Sequence, residues 1–161
     1  MPRRSTKIRQ IVDSLPLPEP WNVDLLIGSV ARLTGRPIRV EARHAMGDTI
    51  TGTIFRLSAE NVIFYREDLK GLHRDHVLCH ELGHVLGGHL EGPAAYQGGA
   101  DADLARAAER ILHRQCHYGE RRELEAERIA ELILARVRQQ VRGIQDPATE
   151  RAVRGFGAAM Q

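Results

Sequence analysis

The sequence predicts a single α+β domain: a helix, a small three-stranded sheet, and then the helices that carry its chemistry. Apolar residues recur at helical spacing over 22–34, 72–86 and 120–141, and three short runs rich in β-branched and aromatic residues lie between the first two of these segments. A chain of 161 residues can bury one core but not two substantial ones. With 42% hydrophobic and 27% charged residues, the composition is that of a folded globular protein and excludes the low-hydrophobicity, high-charge class.

Taken in order, residues 1–20 suggest a basic arm and linker. Arg3, Arg4, Lys7 and Arg9 have no acid among them, and residues 15–20 hold three prolines, which disfavour helix. Asn22 is an N-cap for a helix to about Thr34, with Val23, Leu26, Ile27, Val30 and Leu33 at helical spacing and Gly35 as the stop. Strands are expected at 37–41, 49–55 and 61–65, and their short connections suggest an antiparallel meander. Residues 72–86 return to helical spacing through Val77, Leu78, Leu82, Val85 and Leu86, until Gly87-Gly88. A Gly/Pro loop at 91–99 precedes an Ala-rich helix at 101–112. The helix at 120–141 has Leu124, Ile129, Leu132, Ile133 and Val137 as its apolar face. The folded domain therefore spans 21–143, and 144–161 is a tail or short helix.

No apolar run approaches the roughly 18 residues of a membrane helix, and the N-terminus lacks the apolar stretch of an export signal, so a cytoplasmic protein with no membrane partner is expected. Cys79 and Cys116 are then thiols rather than a disulfide framework. A net charge of +2 is too mild to mark a nucleic-acid binder, and four charges on an arm supply only non-specific, salt-sensitive attraction.

The informative stretch is His80-Glu81-Leu82-Gly83-His84, an H-E-x-x-H pattern inside a predicted helix. Histidines four residues apart share one helical face, so both rings can reach one Zn²⁺. Glu81, beside the first ligand, is placed to act as general base toward a metal-activated water. Catalytic zinc takes three protein ligands and keeps a fourth position open. His89 is one candidate for the third, although an H-E-x-x-H-x-x-G-x-x-H pattern would want it at the position of Leu90. Glu125 is the better one: it shares the side of its helix that carries Ile129 and Leu132, and a buried carboxylate needs a partner such as a metal. Ala126 and Ala130 would let that helix approach its neighbour closely, while Glu123 and Glu127 fall on a more charged face.

His80-Glu81-Leu82-Gly83-His84 followed by Glu125-Ala126-Glu127-Arg128-Ile129-Ala130 resembles the ImmA/IrrE family of gluzincin-type metallopeptidases, over about residues 23–141. Glu127 stands where that family has Asn or Asp, and Ile129 where it has Phe. The resemblance implies a zincin-like fold, with the small sheet packed on the HExxH helix and a glutamate-bearing helix. It implies His80, His84 and Glu125 as zinc ligands, Glu81 as the base, and a cytoplasmic peptidase whose protein substrate is a helix-turn-helix transcriptional repressor. The competing expectation is a non-catalytic zinc-binding or repressor-sequestering module. His73 and His76 extend the histidine stripe as outer or exposed residues, and His113, Cys116 and His117 form a second cluster that lacks a fourth ligand. Tyr96, Tyr118, His89 and His117 are candidate oxyanion stabilisers, and the strand at 61–65 is a candidate edge for an extended substrate.

Overall fold

The first element departs from the expected arm. In the computed structural model, which describes residues 2–44, 46, 50–57, 59–90 and 119–144, the basic N-terminus forms helix α1 (Pro2–Ser14). Its support is tertiary: Val12 and the following Leu15 are buried in the main core. The Arg136 guanidinium donates to the carbonyls of Val12 and Leu15, capping the end of α1 from the far side of the chain. Residues 15–20 form no regular element, as their prolines predict.

Helix α2 (Val23–Thr34) forms as its caps dictate. The Asn22 side chain accepts from the N–H groups of Asp24 at 2.8 Å and Leu25 at 3.1 Å, and Gly35 ends the helix at φ 67°, a left-handed conformation that favours glycine. The Trp21 indole N–H, donating to Asp75 Oδ2 at 2.8 Å, ties the start of α2 to the HExxH helix.

The sheet is three-stranded but not the expected antiparallel meander. Strands β1 (Ile38–Arg43), β2 (Gly52–Arg56) and β3 (Asn61–Arg66) lie in the order β1-β3-β2, with β3 parallel to β1 and antiparallel to β2. The most apolar strand takes the centre: β3 alone among the three buries four successive residues, Asn61 to Phe64. Ile63 joins the main core, whereas Val62 and Phe64 join a second cluster with Met46, Phe55 and Leu57 on the opposite face. The outer strands carry the charges: Arg39, Glu41 and Arg43 share one face of β1, and Arg43 lies over the Phe64 ring. With β1 and β2 both paired to β3, an extended peptide cannot add to residues 61–65.

Helix α3 (Gly71–Leu86) packs between the sheet and the long helix α4 (Glu120–Ile144). The helices approach closely at small residues: a Cβ built on Gly83 would lie 2.5 Å from the Ala126 carbonyl oxygen and 2.9 Å from its Cα. Ala126, Ala130, Ile133 and Val137 are buried along this seam, whereas Leu124, expected on the apolar face, is 66% exposed. Gly83→Ala is therefore expected to force the helices apart and cost about 1–3 kcal/mol, read as a lower urea midpoint for metal-free protein. An unchanged midpoint would show that the seam yields without cost. Among the described residues, no helix is long and apolar enough to cross a membrane.

Candidate metal centre

The α3–α4 seam sets one face of each helix against the other, and the residues flanking the Gly83–Ala126 contact are titratable. From α3 come His80 and His84, one turn apart, and from α4 comes Glu123. His80 Nε2 lies 3.2 Å from His84 Nε2 and 3.2 Å from Glu123 Oε2, and His84 Nε2 lies 3.6 Å from the same oxygen. Tetrahedral zinc with bonds of about 2.0–2.1 Å separates its ligand atoms by about 3.3 Å. These three donors are therefore already spaced to share one ion, and the group can hold a metal.

Glu123, not Glu125, is the carboxylate brought to the histidines. Ile129 is fully buried, as expected, and Leu132 partly so, but the part of α4 that meets Gly83 of α3 is Ala126. Glu123 lies three residues before Ala126 and so falls on the α3-facing side, while Glu125, two residues after Glu123, is turned by about 200° from it. Its Oε1 lies 3.9 Å from His89 Nε2. The sequence signal that marks Glu123 is its spacing to the Ala126/Ala130 pair opposite Gly83, a small-residue contact rather than an apolar stripe.

Each histidine of the cluster also has a partner behind it. Glu127 Oε2 lies 3.1 Å from His80 Nδ1, the nitrogen turned away from the cluster, and Glu127 Oε1 lies 3.0 Å from His76 Nε2. Partial burial opposes ionisation of Glu127, but its hydrogen bonds with His80 and His76 hold the carboxyl below the usual range. A carboxylate in that place fixes the ring and raises the basicity of the metal-facing nitrogen. Behind His84, Nδ1 lies 3.0 Å from His89 Nδ1. The glycines after α3 do bend the chain, but they carry His89 to the rear of His84, away from the Nε2 side that a metal would use. His73 is exposed.

Glu81 is 5% exposed, and β2 lies over it: a Cβ on Gly52 would come within 3.0 Å of its Oε1 and 2.5 Å of Val77 Cγ1. Burial, and then the nearby Glu123, push the Glu81 carboxyl up to about 8. Burial, followed by His80, His89 and Arg122, holds His84 down at about 3, so its ring is neutral, the form a metal needs. The two shifts act on stability with opposite signs in metal-free protein. The raised Glu81 retains a proton that the unfolded chain has already released, so stability falls as pH rises toward 8. The depressed His84 contributes stability above its ordinary value near 6.5 that is lost as pH falls below it. Between pH 6.5 and 8 only the Glu81 effect remains of these two. Chelator-treated protein is thus expected to lose stability to urea across that interval, and Glu81→Gln to abolish the loss. Parallel pH profiles for the two proteins would contradict it.

Residues 91–118, with Tyr96, the helix expected at 101–112, the His113/Cys116/His117 cluster and Tyr118, lie outside the described residues, as does the tail from 145 onward. Cys79 is a buried free thiol that burial pushes up to about 12. No protein family, curated protein or solved structure matches the chain.

Proposed function

We propose that the chain is a zinc-dependent endopeptidase that hydrolyses a peptide bond in a protein substrate. The observation that carries this reading is the His80/His84/Glu123 donor set with a buried carboxylate, Glu81, adjoining its first ligand. Two imidazoles and one carboxylate suit zinc, and three protein ligands leave the fourth position that catalysis requires. A divalent ion there supplies Lewis acidity, lowering the pKa of bound water and polarising the scissile carbonyl. Glu81, in its ionised form, would take a proton from the attacking water at a carboxylate oxygen and deliver it to the leaving amine. Glu127 and His89 hold the ligand rings in place, and β2 keeps solvent from one side of Glu81.

The resemblance of the HExxH and Glu-Ala segments to the ImmA/IrrE peptidases supports a zincin-like fold, a cytoplasmic location and a helix-turn-helix repressor as the substrate. The test is incubation of zinc-loaded protein with candidate repressors: a discrete cleavage that a chelator stops and zinc restores is expected. The second reading, a zinc-binding module that sequesters its partner, is favoured by the depth at which Glu81 lies beneath β2. It predicts stable complex formation without cleavage.

A further inference from the structure

The turn after α3 is constructed around a side chain that supplies none of the three clustered donors. Gly88, at φ +70°, takes the left-handed conformation that sends the chain back along the helix, and the His89 N–H donates to the His84 carbonyl at 2.9 Å. Gly87 leaves room for the returning ring: a Cβ there would sit 2.5 Å from His89 Nε2 and 2.7 Å from its Cε1. The result is a histidine only 5% exposed, its Nδ1 3.0 Å from Nδ1 of His84 and its Nε2 facing Glu125 at 3.9 Å. Arg122 donates to the His89 carbonyl at 3.3 Å and fastens the turn to α4.

Two imidazoles with Nδ1 facing Nδ1 at 3.0 Å need one donor and one acceptor between them. If His84 presents a lone pair at Nε2 toward His80 and Glu123, its proton is on Nδ1, and His89 must accept there and carry its own proton on Nε2, toward the Glu125 carboxylate. The facing Nδ1 atoms are then matched as donor and acceptor, and the Glu125 carboxylate, 3.9 Å from His89 Nε2, favours a proton on that nitrogen.

We propose that His89 is a positioning residue for His84, fixing by this contact the tautomer and ring orientation that direct His84 Nε2 to the metal, with the nearby Glu125 carboxylate favouring the matching tautomer of His89. The inference rests on the metal-binding reading of the cluster and gives Glu125 an outer role in place of ligation. It also accounts for the two glycines: Gly88 makes the turn and Gly87 accommodates its ring.

The test is zinc affinity of the full chain, measured by competition with a chromophoric chelator. His89→Leu is expected to weaken binding about 10- to 100-fold, the usual effect of losing a partner behind a ligand. His89→Asn, whose Oδ1 can stand where Nδ1 was, restores most of that affinity. Gly87→Ala, which displaces the His89 ring without altering a ligand, weakens binding as His89→Leu does. Wild-type affinity in folded His89→Leu, or Asn no better than Leu, overturns the proposal. Nitrogen-15 spectra of metal-free protein test His89 apart from the metal reading. They are expected to show the His84 proton on Nδ1 in the wild type and a mixed tautomer in His89→Leu. A proton on His84 Nε2 in the wild type overturns the role of His89 even where zinc binds, whereas failure of the wild type to bind zinc overturns the metal reading itself.

Discussion

Glu123→Ala is expected to lose more than about 100-fold in zinc affinity, so that protein purified at micromolar concentration carries little metal, whereas Glu125→Ala is expected to lose less and retain it. The difference follows from placement. Glu123 Oε2 lies 3.2 Å from His80 Nε2 and 3.6 Å from His84 Nε2, whereas Glu125 reaches only the rear of the site, through His89. Removing Glu123 leaves two imidazoles from one helix, which hold zinc weakly, and uncouples the site from α4. Elemental mass spectrometry on the two variants and the wild type decides the matter. Metal lost from Glu125→Ala and kept in Glu123→Ala would reverse the assignment of the third ligand.

The second large effect concerns turnover. Glu81→Gln is expected to bind zinc as the wild type does, since Glu81 is not among the three donors, and to reduce peptide cleavage about 10²- to 10⁴-fold, the usual contribution of a general base. Glutamine keeps the size and the hydrogen-bonding edge of the side chain but cannot take the proton. Retained zinc with lost cleavage supports the peptidase reading. Retained zinc with no cleavage by either protein, and equal capture of a partner by both, supports the sequestering module instead.

Local chemistry made much of this molecule legible in its sequence. Asn22 and Gly35 delimit α2 because caps act through neighbouring residues, and His80, Glu81 and His84 share a helix because their spacing is a helical turn. What was not legible depends on distant partners. The β1-β3-β2 order follows from which strand can be buried on both faces, a comparison across three segments rather than a property of any one. Helix α1 was hidden because its support is Arg136, 124 residues from Val12. Glu123 is not legible as a donor from its apolar neighbours, because the contact that brings it to the histidines is between small residues, Gly83 and Ala126.

The separation of the donors along the chain also sets an order of events in time. Glu123 follows His80 by 43 residues, so at roughly 5–20 residues per second a ribosome adds it about two to nine seconds after the first histidine. Until α4 has been made and has docked on α3, the nascent chain displays a histidine pair but not the complete donor set. Metal capture at the proposed site would therefore report that the last of the described helices has docked on α3.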